Sequence, residues 1–399
     1  MSANIKASTD GTQAIIGVGG VDQMTVSNAG VVTANSFVGG LNNSSVTATG
    51  STTARTLANR FADVVNVKDF GAVGDGVTDD TAAIQAAINK ADQLGGSEVH
   101  LQAGRYLISN TLVLKNKVQL VGQGSAATEI YLANSSNVTM IKSYNYDSLV
   151  GTDTWLVADG ATYGYGLKQL RLYGNKSNQT SGSGVKFYGK RLRIDDVIIA
   201  QCKDEGWHSE SNYYIPGTQA QNGDDMPEGL IRGLYVWECD SNGVTWRGQH
   251  DTLIESIFVG LCAGWGVRFE TDSVAPVVYS GTADVQFAHI YANKDGGILI
   301  DTNSTIQGGL IISESNSGVG LQCDGWQVKI DTLQLYSNND DRPSLGWIGT
   351  GNYQAVLAGN ECVFGKIHSK LAKATKAHIS ITGANNEADI TIIGRNTDG

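Results

Sequence analysis

Ile254-Glu-Ser-Ile-Phe-Val-Gly-Leu-Cys-Ala-Gly-Trp-Gly-Val-Arg-Phe-Glu270 is the stretch that decides the fold. Apolar side chains fall at Ile254, Ile257 and Val259, Cys262 follows, and Gly266 opens a second apolar pair, Val267 and Phe269. Ile231–Leu234–Val236–Cys239 with Gly243–Val244–Trp246 repeats the pattern, as does Ile194–Val197–Ile199–Cys202 with Gly206–Trp207–Ser209. Further copies read Leu167–Leu170–Leu172 with Gly184–Val185–Phe187, Phe287–Ile290–Ala292 with Gly297–Ile298–Ile300, Ile306–Gly309–Ile311 with Gly318–Val319–Leu321, and Ile330–Leu333–Leu335. The marker glycines 184, 206, 243, 266, 297 and 318 are spaced by 22, 37, 23, 31 and 21 residues. A base period near 22 with two long steps is the signature of a coiled solenoid that carries two insertions. No single coil can bury its apolar edge alone, so stacked coils make the core.

Alternation along a strand sends neighbouring side chains to opposite faces, so the residues between apolar positions form outward columns. One column reads Glu210, Arg247, Glu270, Asp301, Gln322, and its neighbour His208, Thr245, Arg268, Leu299, Gly320. Both insertions, 211–229 and 271–282, follow directly on this strand, behind Glu210 and Glu270, and are expected to wall a groove. Tyr213, Tyr214, Asp224, Asp225 and Glu228 lie in the first wall, Asp272 and Tyr279 in the second.

Composition narrows the classes. The chain has 50 glycines and only 4 prolines, all four outside the repeat strands, as a hydrogen-bonded ladder requires. A net charge of −11 with no phosphate-neutralising stripe argues against a nucleic-acid partner. No apolar run is long enough to span a bilayer, so no membrane insertion is expected, and the N-terminus lacks a secretory pattern. The five cysteines follow neither a disulfide nor a zinc spacing. Cys202, Cys239 and Cys262 share one template position and are read as a reduced, stacked core ladder, consistent with folding in a cytosol.

Residues 1–60 are rich in Thr, Ser, Asn, Gly and Ala, with strands too thin for a private core, which suggests a small module that self-associates. Thr53–Phe61 is read as a short joining helix. In Val65–Ile88 a strand enters a Gly-Asp-Gly turn, Thr78 to Asp80 offer N-cap oxygens, and Ile84, Ala87, Ile88 and Ala91 share one helix face. Such a helix is suited to closing the open end of a solenoid. This Val65–Ile88 segment resembles the opening motif of the pectate-lyase-like single-stranded right-handed β-helix family, which often forms the central domain of bacteriophage tailspikes and capsule depolymerases. The Thr-rich segment before it is similar to virion-attachment regions of phage tail fibres.

The resemblance implies an all-β, single-stranded right-handed parallel β-helix over residues 61–399, with a capping helix. Residues 1–60 are then the virion-attachment module that meets a phage tail or baseplate protein. It further implies a homotrimer assembled in the host cytoplasm and carried on the virion, which recognises a bacterial surface polysaccharide. Residues 360–399, where a tailspike often has a separate trimerisation module, still read as coil strands, so either that module is absent or these coils themselves pack as the trimer base.

Three chemistries compete for the columns. Glu210 and Glu270 stand two coils apart, about 9–10 Å between backbones. Inverting glycosidases hold their carboxyls about 6.5–9.5 Å apart, with a water between. Glu210 and Glu270, with Asp224 or Asp225, are thus the candidate hydrolytic carboxylates. Arg247 is placed to hold a sugar acid, and Tyr213 or Tyr214 to stack on a ring. A lyase would instead use a base and cations, for which His208, Arg247 and Arg268 are available. A non-enzymatic adhesin needs neither, and Glu–Arg–Glu is also what a cross-strand ion ladder looks like. A second alternation, Asp195–Arg232–Glu255, is read as such a ladder, with no insertion beside it. Trp207 and Trp246 point inward; Trp237 and Trp265 are sugar platforms or trimer contacts. His208 and His289 stand without a ligand cluster, and Asp75, Asp79 and Asp80 have turn and cap duties, so neither metal nor cofactor is expected.

Overall fold

A computed structural model gives the architecture of the protein and describes residues 4–7, 13–18, 21–27, 32–34, 45–144, 146–149, 162–210, 229–247, 251–270, 282–302, 304–338, 353–370 and 377–392. The chain divides into compact units, residues 1–64 and 65–399. In the first, Asn4–Ala7, Gln13–Val18, Val21–Ser27 and Val32–Ala34 form an antiparallel sheet in chain order. A hairpin of Ser45–Thr47 and Ala54–Thr56 then leads into the helix Leu57–Phe61, whose first turn is capped by the Thr56 hydroxyl accepting from Asn59 N at 3.1 Å.

The second unit is a right-handed parallel β-helix. Among the described residues its strands make one sheet of 16 and one of 11, every pair parallel and each strand hydrogen-bonded to the equivalent strand one coil away. The helix Thr81–Gln93 buries Ile84, Ala87, Ile88 and Ala91 against the first coils. Its cap is divided between two aspartates. Asp79 accepts from Thr81 N at 3.0 Å. Asp80, at the N-cap position itself, turns back to accept from Val73 N at 2.6 Å and Gly74 N at 3.0 Å. Asp75 likewise serves its own turn, through Val77 N and Thr78 N.

The long strands Leu192–Ala200 and Gly229–Trp237 pair Ile194 with Ile231, Val197 with Leu234 and Ile199 with Val236, all buried. Past the corner that ends them, Cys202, Cys239 and Cys262 are buried and unbridged. In later coils the same inner corner is taken by asparagines. Asn293 Oδ1 accepts from Cys262 N, Asn316 Oδ1 from Asn293 N, Asn338 Oδ1 from Asn316 N, and Gln354 Oε1 from Asn338 N, at 2.8–3.2 Å. A polar group in a solenoid core is tolerable only when so satisfied. Trp207 and Trp246 stack in the core with ring centroids 6.0 Å apart.

Two coils sit two residues away from the register expected above. Val285, Ala288 and Ile290 are the inward triplet, pairing with Ile254, Ile257 and Val259, while Phe287 is half-buried and packs on Phe258. Gly297 stacks under Gly320 rather than Gly318, because Ile298 pairs with Leu321 and Leu299 with Gln322. A slip of two keeps the alternation within a straight strand, and apolar residues stand at both candidate registers, so the apolar pattern alone does not detect it. One consequence is that Asp324, not Gln322, follows Asp301 in the outward column. The strands Val363–Lys370, Ala377–Ile381 and Glu387–Ile392 continue both sheets.

Candidate functional site

Four strands of the smaller sheet, Val185–Lys190, Trp207–Glu210, Val244–Arg247 and Trp265–Glu270, bring the predicted charged residues together. Glu210, Arg247 and Glu270 are in register on consecutive coils, as are His208, Thr245 and Arg268. Their burial departs from expectation: His208, Glu210 and Glu270 expose only 8%, 4% and 7% of their surface. They therefore form a buried polar network and not a solvated surface ladder, while the two segments expected to wall a groove lie outside the described residues.

The network is continuous. Arg247 Nη1 donates to Glu210 Oε1 at 2.9 Å, and its Nε and Nη2 donate to Glu270 Oε2 at 3.1 and 2.5 Å. Arg268 Nη2 lies 2.5 Å from Glu270 Oε1. His208 is held at both nitrogens, 2.6 Å from Glu205 through Nδ1 and 2.6 Å from Glu210 through Nε2. Glu205 in turn accepts from Thr245 Oγ1 at 2.5 Å and Asn242 Nδ2 at 3.1 Å. The Tyr146 ring stands edge-on to His208, with centroids 6.4 Å apart.

Electrostatics follow from these contacts. Burial alone lowers the His208 pKa, but hydrogen bonds to Glu205 and Glu210 outweigh it and bring the value to about 9. Burial pushes Glu205 up, yet the His208 contact, with Thr245 and Asn242, holds it at about 2. Glu210 balances the same opposition, burial against His208 and then Arg247, and ends below its ordinary range. Burial, then Glu210 and Glu205, raises the Tyr146 phenol well above its ordinary value. Glu210 is therefore a poor general acid, since that role needs a carboxyl held up near the working pH. Arg247, clamped between the two glutamates, occupies the space that an inverting mechanism reserves for water.

Two cations of this network, His208 and Arg268, also belong to a second feature. Lys142, Lys186 and His208 are in register on successive coils, and Arg268 follows after Thr245. Like charges facing each other on adjacent strands are destabilising, so this basic column is a cost that the fold bears within a chain of net charge −11. Lys142 is offset by Asp147 at 2.8 Å. Arg268 is the most accessible cation of the network proper, and its Nε is buried with no hydrogen-bond partner among the described residues.

Tyr213, Tyr214, Asp224, Asp225, Glu228, Asp272 and Tyr279 lie outside the described residues. Trp237 and Trp265 are both half-buried, and Trp265 lies over Gly296 of the next coil. His289 is not alone, since its Nε2 is 3.2 Å from Glu314 Oε1. The Arg232–Glu255 pair forms on the larger sheet at 2.6 and 2.8 Å. Gly229 and Thr282, the last residues of the two inserted segments, open strands of that sheet. Among the described residues no group of three or more metal-ligating side chains is found. Sequence reasoning missed Glu205 and Tyr146, which lie outside the strand alternation, in a turn and in the short helix Tyr146–Leu149.

Comparison with known proteins places these features. A family profile described as "Rhamnogalacturonase A/epimerase, pectate lyase-like" matches residues 64–340. Mannuronan C5-epimerase AlgE5 of Azotobacter vinelandii is 37% identical over 267 residues, which are 61% of this chain and 25% of that protein. Alginate lyase 7 of the same organism is 38% identical over 133 residues, 31% of this chain and 14% of that one. The chain thus spans a quarter or less of the length of these two curated relatives. Among solved structures, the enzymatically active domain of bacteriophage CBA120 tailspike protein 2 shares the fold, with a TM-score of 0.53 at 14% identity, over 96% of this chain and 59% of that one.

Proposed function

The chain belongs to the rhamnogalacturonase A/epimerase, pectate lyase-like family, and from that premise we propose that it processes an anionic, uronate-containing polysaccharide by proton transfer at the sugar C5. The observation that carries this reading is the basic column Lys142–Lys186–His208–Arg268, held at coil spacing on an otherwise acidic chain. Epimerisation and elimination of a uronate both begin with loss of the C5 proton, which becomes feasible once a cation neutralises the adjoining carboxylate. Arg268, a third exposed and the most accessible cation of the network, is the residue assigned to that carboxylate. Arg247 backs it through Glu270, which both guanidinium groups share. Glu210, ionised at neutral pH and hydrogen-bonded to His208 Nε2, is assigned as the base that takes the C5 proton, and the protonated His208 as the acid that delivers a proton to the leaving oxygen or back to C5. The names of the curated relatives, an epimerase and a lyase, support the same class of chemistry.

Hydrolysis by Glu210 and Glu270, with Asp224 or Asp225, loses support because Arg247 bridges the first pair. The biological setting belongs to the same proposal. It is a homotrimeric phage tailspike, attached through residues 1–60 and directed at a bacterial surface polysaccharide, supported by the opening motif and by the fold shared with a tailspike domain.

Incubation with mannuronan in deuterated water separates the chemistries. Deuterium at C5 without chain shortening marks an epimerase, and growth of the ultraviolet absorbance of an unsaturated uronate marks a lyase. New reducing ends with neither signal return the hydrolase, and unmodified but bound polymer returns the adhesin. Arg268→Gln is expected to remove the activity. Full activity in that variant overturns the assignment.

A further inference from the structure

The larger sheet carries a cleft of about 320 Å³ that the basic column does not touch, lined by Asp284, Gln286, Gln307, Gly308, Gly309, Lys329 and Asp331. Asp284, Gln307 and Lys329 are in register on three consecutive coils. Gln286 and Asp331 stand one coil to either side of Gly309, as the pairing of Gly308 with Val285 and Ile330 requires. At Gly309 an added Cβ would lie 2.6 Å from the Gln286 carbonyl oxygen, so the approach of the neighbouring strand excludes any side chain there. The row of outward side chains is thereby interrupted. The gap is floored by backbone and Gln307, and its walls stand about 10 Å apart, two strand spacings.

We propose that this cleft binds one uncharged sugar residue through its hydroxyl groups. Its volume is at the lower end of the range for small-molecule sites, suited to a single ring rather than a chain. Both carboxylates accept from hydroxyls, Lys329 donates, and the two glutamines do either, a set that can satisfy vicinal hydroxyls around a pyranose. No aromatic ring lines it, so recognition is by hydrogen bonds and not by stacking. Charge sets the class of ligand. Two carboxylates face a single ammonium, and Lys329 lies 3.8 Å from Asp331, so a sugar acid meets net repulsion here while a neutral hexose does not. The two faces of the solenoid would then read different residues of one mixed polysaccharide, acidic on the smaller sheet and neutral on the larger.

Saturation-transfer NMR on the full chain tests this with glucose, galactose, mannose and glucuronate as probes. At least one neutral hexose is expected to receive saturation from the wild type. The Asp284→Ala/Gln307→Ala variant, changed only at exposed positions, is expected to bind it at least about tenfold more weakly, the loss that follows removal of a hydrogen bond to a charged group. Arg268→Gln is expected to leave hexose binding unchanged, which separates failure of this site from failure of the C5 reading. Absence of hexose binding, equal binding by the double variant, or stronger saturation of glucuronate than of every hexose overturns the proposal.

Discussion

His208 owes its charge to two carboxylates, and that dependence makes the site sensitive to pH in a definite direction. Its pKa rises from an ordinary 6.5 to about 9 in the folded chain, so the contact stabilises fully below 6.5 and its contribution is lost as pH climbs through about 9. Glu205 falls from 4.5 to about 2, so its contribution is complete above 4.5 and is lost as pH drops through about 2. The two shifts share the His208–Glu205 hydrogen bond, with Glu210 adding to the first and Thr245 and Asn242 to the second, so they are not summed. Glu205→Gln is therefore expected to return the His208 pKa toward 6.5, read as the titration of its ¹³Cε1 resonance after assignment with His208→Gln. A titration unmoved by Glu205→Gln would mean that Glu210 alone sets the charge. Because Glu210 still holds Nε2 at 2.6 Å, the shift should stop short of full reversal, even though burial and the nearby Lys186 and Arg247 cations act to lower the value. His208 was legible in the sequence from strand alternation. Its protonation was not, since Glu205 sits in the turn before Gly206, where no periodicity marks a partner.

At the scale of the coil, one inner corner is built in two chemistries, thiol in the early coils and amide in the later ones, and they should fail differently. Asn316 Oδ1 accepts from the backbone and side-chain amides of Asn293, and Asn316 Nδ2 donates to Asn338 and Ser313. Asn316→Ala strands several buried polar groups at once, each costing about 1–3 kcal/mol. Cys239→Ala removes only a sulfur from apolar surroundings, about 1 kcal/mol of burial. The midpoint of urea unfolding is thus expected to fall much further for Asn316→Ala than for Cys239→Ala, and equal falls would show the ladder to be energetically idle. Gly243→Ala adds a third case. Its Cβ would sit 2.2 Å from Val259 Cγ1 and 2.7 Å from the Gly266 carbonyl oxygen, an overpacking expected to cost about 1–3 kcal/mol. The marker glycines were visible in the sequence because this close approach forbids any other residue. The amide ladder was not, because Asn293, Asn316 and Asn338 follow residues in left-handed turns, where asparagine reads as ordinary turn chemistry. The misplaced marker Gly318 has the same kind of cause, since a two-residue slip within a strand keeps the inward and outward alternation and Leu321 faces the core in either register.

For the molecule as a whole, a positive track on a body of charge −11 sets short-range attraction against long-range repulsion for an anionic polymer. Ionic strength separates the two by distance. At about 0.01 M the screening length is roughly 30 Å, so the polymer feels the acidic body as well as the track. At about 0.15 M it shrinks to roughly 8 Å, which silences the body while contacts at Lys186 and Arg268 survive. Binding of mannuronan is therefore expected to strengthen between these two salt concentrations and to weaken again toward 1 M, where even contacts are screened. A neutral glucan should show neither limb. The Lys186→Gln/Arg268→Gln variant should lose the falling limb, because the attraction that high salt removes is already gone. Affinity that declines steadily from the lowest salt, measured by titration calorimetry, would instead mean that many more cations than this column touch the polymer. That outcome would move the site off the smaller sheet, whatever reaction the chain performs.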